Sequence, residues 1–129
     1  MSPFGLLLRF YRNERGMAQK TIAARVGLSE KSLSAIETGR HQPPGEDILK
    51  KICDALELRE PEVLALKDAA AHSTPALRIP FGVTPRAYRL VHILLGRLNS
   101  LSVKQIEEIH TVLEQQPRGQ APREGKPMA

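Results

Sequence analysis

"QKTIAARVGLSEKSLSAIETGR", residues 19–40, decides how the chain folds. Apolar Ile22, Ala23 and Val26 recur at steps of three and four before Gly27 interrupts them. Leu33 and Ile36 resume the pattern after Ser29. That spacing places the apolar side chains on one face of each of two short helices. Two helices that cross steeply need a small residue where they touch. The tight turn between them needs a residue tolerant of positive φ. Counted from Gln19, Ala23 falls at the crossing and Gly27 at the turn. Leu28 joins the inner face, and Ser29 is suited to cap the second helix.

The flanks extend the helical pattern. Phe4, Leu7, Leu8 and Tyr11 predict a helix over residues 3–15, with Ser2 as cap, Pro3 in the first helical position and Gly16 as the stop. "RHQPPG", residues 40–45, is a loop, because paired prolines cannot continue a helix. A helix over 46–56 turns Ile48, Leu49, Ile52, Ala55 and Leu56 inward, and Glu46 and Asp47 suit its dipole. A fifth over 61–71 places Val63, Leu64 and Leu66 on one side. The first domain is thus expected over residues 1–71. Residues 72–83 hold prolines and a glycine without helical period, which predicts a linker; a short extended segment over 77–83 fits it. Thr84 and Pro85 then open a helix with Ala87, Leu90, Val91, Leu94, Leu98 and Leu101 as its stripe. Ser102 and Gln105 make a capping box for the next helix, which carries Ile106, Ile109 and Leu113. Residues 84–116 therefore read as a helical hairpin. Residues 117–129 are a polar Pro/Gly tail, expected to be disordered.

Composition agrees with an all-α chain. Aromatics are only 4% and Trp is absent, so the core is built from Leu, Ile, Val and Ala, which suits packed helices better than a sheet. The net charge of +5 is compatible with an anionic partner without demanding one. A single cysteine, Cys53, excludes a disulfide within the chain and points to a reducing, cytoplasmic setting. The apolar run 5–8 is cut short by Arg9 and Arg12, too short for a signal-peptide core. No stretch approaches the roughly 18 apolar residues of a membrane helix. His41, His72, His92 and His110 are scattered and have no metal-ligand spacing. No phosphate-binding glycine loop and no nucleophile–base pair stands out, so neither an enzyme nor a cofactor is expected.

"RNERGMAQKTIAARVGLSEKSLSAIETGRHQPP", residues 12–44, resembles the signature of the Cro and phage-repressor (XRE) family of helix-turn-helix transcriptional regulators, including Arg12, Gly16, Gln19, Glu37 and Gly39. The resemblance covers residues 3 to about 66; the loop before Glu46 is one residue longer than the family's. It implies a five-helix, lambda-repressor-like domain that binds double-stranded DNA. It implies an ion pair between Arg12 and Glu37. It implies phosphate contacts by Gln19, Lys20, Thr38, Arg40 and His41, although Arg40 reads equally as a solvated loop charge. Base contacts fall on Glu30, Lys31, Ser32 and Ala35, with Ser34 beside them. Lys31 suits guanine O6 or N7, Glu30 suits cytosine N4, and the Ala35 methyl suits thymine. Glu30 and Lys31 also fit a merely exposed first helical turn.

The apolar stripe after Thr84 is broadened by Tyr88 and Leu95 beyond what one partner helix covers. Homodimerisation through Tyr88, Val91, Leu94, Leu95, Leu98, Ile106, Ile109 and Leu113 is the expectation, giving a repressor on a palindromic operator. Completion of a monomer core is the alternative for the hairpin. A protein-interaction module, such as an antitoxin or adaptor with secondary autoregulatory DNA binding, is the alternative for the whole chain.

Overall fold

Ser2 starts the first helix: its hydroxyl accepts the Gly5 amide at 3.0 Å, and α1 runs Pro3–Glu14. The computed structural model describes residues 1–115; the expected tail, 117–129, lies outside them, as does residue 116. The helices that follow are α2 (Gln19–Val26), α3 (Glu30–Thr38), α4 (Glu46–Ala55) and α5 (Glu60–Ala71), then α6 (Pro85–Arg97), a 3₁₀ turn (Leu98–Ser100) and α7 (Val103–Glu114). The described residues are all-α, as composition and periodicity predict.

The chain divides into two units, Met1–Leu77 and Arg78–Ala129. In the first, α1 packs on α3 and α5, while α2 packs on α3 and α4. Phe4, Leu8, Ile22, Leu33, Ile52, Leu56 and Leu66 are fully buried where these helices meet. Ala23, expected at the helix crossing, is buried, and Gly27 adopts φ +80°, the left-handed conformation its turn requires. Ser29 caps α3 by accepting the Ser32 amide at 3.0 Å.

Two contacts close this unit from opposite ends. Arg15 Nη2 donates to Glu62 Oε1 at 2.9 Å, tying α1 to α5. The Arg59 amide also donates to that oxygen at 2.9 Å, and this bond, with the Arg15 charge, holds the Glu62 carboxyl below its ordinary value. At the other end the buried hydroxyl of Ser73 accepts the Phe4 amide at 2.8 Å and donates to the Ala69 carbonyl at 2.7 Å. Ser73 thereby belongs to the first unit, Met1–Leu77.

Two expectations are corrected. Leu64 is 59% exposed, not inward: it precedes buried Leu66 by two residues, which places it on the opposite side of α5. Residues 77–83 form no strand; Phe81 and Gly82 make a turn in which Gly82 has φ +93°. Cys53 is buried, and burial first and Asp54 next raise its thiol pKa, keeping it protonated. That is the chemistry of a small core residue.

The second unit contains the expected two helices. Thr84 caps α6 through the Ala87 amide at 3.1 Å, and Ser102 and Gln105 form the expected capping box on α7. No side chain of α6 or α7 is buried. No described helix is long and apolar enough to cross a membrane.

Gly5 marks a close approach of α1 to α3. A Cβ placed there would overlap the backbone carbonyl of Glu37 on α3. Gly5→Ala must push α1 away from α3 and is expected to cost at least about 2 kcal/mol, typical of overpacking in a closed interior. Thermal and urea unfolding read this directly; an unchanged midpoint contradicts the crossing.

Candidate nucleic-acid interface

The site is built on a buried cluster. Arg12 on α1 donates from Nε to Glu37 Oε2 at 2.8 Å and from Nη2 to Oε1 at 3.2 Å. Its Nη1 donates to the Met17 carbonyl at 3.0 Å, so one guanidinium ties α1, the α1–α2 loop and the end of α3. Glu37 is 1% exposed and Arg12 8%. The fork-to-fork geometry suits a planar guanidinium and carboxylate. Among the described residues no buried side-chain nitrogen or oxygen lacks a hydrogen-bond partner, which is what makes a buried charge pair tolerable. The expected pairing of Arg12 with Glu37 is present.

Gln19 adds a bond that the sequence did not reveal. Its Nε2 donates to Glu37 Oε1 at 3.0 Å, so the first residue of α2 is anchored on α3. Ala18, the cap position of α2, offers no capping side chain. The Gln19 and Lys20 amides are therefore left for an outside acceptor, beside the positive end of the helix dipole, while the Thr21 amide donates to the Ala18 carbonyl at 3.1 Å.

A concave face of about 730 Å³ opens over this cluster. Gln19, Glu30, Lys31, Ser32, Ser34, Ala35, Thr38, Arg40 and His41 line it. Every residue expected at the DNA surface is here except Lys20, which is exposed one position beyond Gln19. The shortness of Ser32, Ser34 and Ala35 makes the face concave, while Lys31 and Arg40 stand exposed. Neither cation forms an ion pair among the described residues. Together they outnumber Glu30, so the face favours an anion.

Local hydrogen bonds set which hydroxyls face outward. Ser29 Oγ accepts the Ser32 amide and donates to Ser32 Oγ at 2.9 Å. Ser32 keeps its own proton for an acceptor in the cleft. Thr38 differs: its hydroxyl donates back to the Ser34 and Ala35 carbonyls at 3.0 and 3.2 Å. It must turn away from the helix before it donates to anything else. Among the described residues no group of His, Cys, Asp and Glu is arranged to hold a metal ion.

Residues 3–66 match the family model described as helix-turn-helix domain. Residues 3–66 are a helix-turn-helix domain. The HTH-type transcriptional regulator SlrR of Bacillus subtilis (strain 168) is similar to this chain, 36% identical over 59 residues. Those residues are 46% of this chain and 39% of that protein, so the chain spans well under half the length of this relative. No solved structure matches the chain. In this helix-turn-helix domain α2 and α3 are the paired helices, Gly27 is the turn, and the concave face is the outer surface of α3 with the start of α2.

Removing one partner of the buried pair strands the other. Arg12→Met and Glu37→Leu are each expected to destabilise the domain by about 3–5 kcal/mol. Replacing both, Arg12→Met with Glu37→Leu, should cost clearly less than the two single changes summed. Urea unfolding of the four proteins checks this; strictly additive losses would show that the pair is not coupled.

Proposed function

We propose that the protein is a sequence-specific DNA-binding transcriptional regulator that inserts α3 into the major groove. The observation that carries this is the concave face, where the residues suited to bases and those suited to phosphates converge on one side of a helix-turn-helix. At its centre Lys31 donates to guanine O6 or N7 and Glu30 accepts from cytosine N4. Ser32 donates its outward proton to a base or phosphate acceptor. Ala35 offers its methyl to a thymine methyl, and Ser34 lies beside it. At the rim Gln19, Lys20, Thr38, Arg40 and His41 meet phosphates, with the uncapped α2 amides adding fixed donors. Gln19 reaches a phosphate with the amide proton that Glu37 does not use.

Five side chains, three of them short, read few base pairs. Two copies of the domain bound to one duplex double that number. Two-fold symmetry then places the recognition helices in successive major grooves, about 34 Å apart, on a palindromic operator. Occlusion of polymerase at such an operator makes the protein a repressor. A second reading is favoured by the exposed apolar residues of α6 and α7: an antitoxin or adaptor that binds another protein and uses DNA binding for its own regulation.

Competition binding between a selected duplex and random duplex tests the assignment. Lys31→Ala with Ser32→Ala should lower the ratio of the two affinities by at least tenfold, at about 1–3 kcal/mol per lost base contact. Arg40→Ala should weaken both duplexes alike and reduce the salt slope by about one. An unchanged ratio in the first variant would remove Lys31 and Ser32 from base reading.

A further inference from the structure

Between Asp68 and Glu107 the sequence holds no acidic residue, while Arg78, Arg86, Arg89, Arg97 and Lys104 all fall in that stretch. Their summed charge equals the net +5 of the whole chain. Three of these arginines lie on α6. At 100° per residue, Arg86, Arg89 and Arg97 fall within an arc of about 80°. The apolar stripe of the same helix, from Leu90 through Leu94 and Val91 to Tyr88, is centred about 140° further round. One helix thus carries two separate faces, one apolar and one built on arginine.

The partly covered residues of α6, Ala87, Val91 and Leu94, all lie on the stripe, whereas Arg86, Arg89 and Arg97 are exposed. Cover over the stripe therefore leaves the arginine face open. None of the three arginines forms an ion pair among the described residues. Arg86 and Arg89 line one shallow hollow with Ile93. Unpaired guanidinium groups on a single face fit a polyanion with regularly placed phosphates, since each can hold two phosphate oxygens at once and stays charged at any working pH. The first unit supplies the means of bringing such a polyanion near. The ten residues 74–83, between Ser73 and Thr84, extend to at most about 33–36 Å, roughly one turn of duplex. A helix tethered at that range meets the neighbouring phosphates at an effective concentration on the order of 1 mM, so contacts too weak to form alone become populated.

We propose that the arginine face of α6 is a second DNA-binding surface, which grips backbone phosphates in the duplex flanking the site read by α3. Arg86, Arg89 and Arg97 hold phosphates and no bases, so they add affinity and leave sequence preference to α3. The apolar stripe takes no part. The proposal rests on the DNA-binding reading of the first unit, yet it uses none of the residues of that unit's concave face.

Binding of the full chain to two duplexes across a series of salt concentrations gives the test. One duplex is trimmed to the selected site; the other carries the same site with about one helical turn of unrelated sequence on each side. The wild type should bind the flanked duplex at least about tenfold more tightly, with a salt slope steeper by about 2–3, as three added phosphate contacts require. Arg86→Gln/Arg89→Gln/Arg97→Gln should lose both differences and keep its preference for the selected over a random duplex. Arg86→Lys/Arg89→Lys/Arg97→Lys keeps the charge and should keep the steeper slope. Equal affinity and slope of the wild type on the two duplexes, a comparison that needs no variant, overturns the proposal. So does a glutamine variant that retains the full gain from the flanks. Vesicles of anionic phospholipid are measured alongside: vesicle binding that the glutamine variant loses, with no gain from flanking DNA, assigns the face to a lipid surface instead. A wild type that prefers its selected site but gains nothing from the flanks removes this surface alone; one that binds no duplex removes the DNA reading with it.

Discussion

The ion pair between Arg12 and Glu37 is the constraint on which the first unit depends. Two opposite charges leave water only when their hydrogen bonds are completed inside the protein. Glu37 receives bonds from Arg12 and from Gln19; Arg12 gives its remaining bond to the Met17 carbonyl. The cluster cannot be satisfied unless α1, the loop after it, the start of α2 and the end of α3 are all in place. Gly5 makes the approach possible, because α1 comes so close to the Glu37 backbone that no side chain fits between them. Hydrophobic burial holds the five helices together without specifying direction. The charge cluster supplies the direction, fixing α2 against α3.

The outer face of α3 inherits that rigidity. Its inner positions, Leu33, Ile36 and Glu37, are buried in the fold. Ser29 is spent on the cap and on Ser32. What remains outward is short, with Lys31 and Glu30 as the long side chains. A small reading surface on a rigid helix suits shape complementarity to a groove, with affinity from phosphates at the rim.

Much of this was legible in residues 19–40. The Ala23 crossing and the Gly27 turn follow from sterics, and the Ser29 cap from local hydrogen bonding. All three are short-range effects, visible as spacing. The residues that the resemblance implies for a DNA surface all line the concave face except Lys20. What stayed hidden depends on residues distant in sequence. Gly5 reads as part of an apolar run until α3 is laid across it. Ser73 reads as the start of a linker until its hydroxyl is found on the Phe4 amide. Gln19 reads as a phosphate ligand, and only the meeting of α2 with α3 shows that half of its amide already serves Glu37. Leu64 reads as inward because it is apolar in a periodic helix; the phase set by Leu66 puts it outside.

The central claim is that α3 and the start of α2 form the DNA surface. Amide chemical shifts followed while a double-stranded DNA containing the selected site is added test it most directly. The account predicts that the largest changes fall on Gln19, Lys20, residues 30–35 and residues 38–41, leaving α4 and α5 nearly unmoved. Changes centred on α4 and α5, or no change at all at saturating DNA, would contradict it.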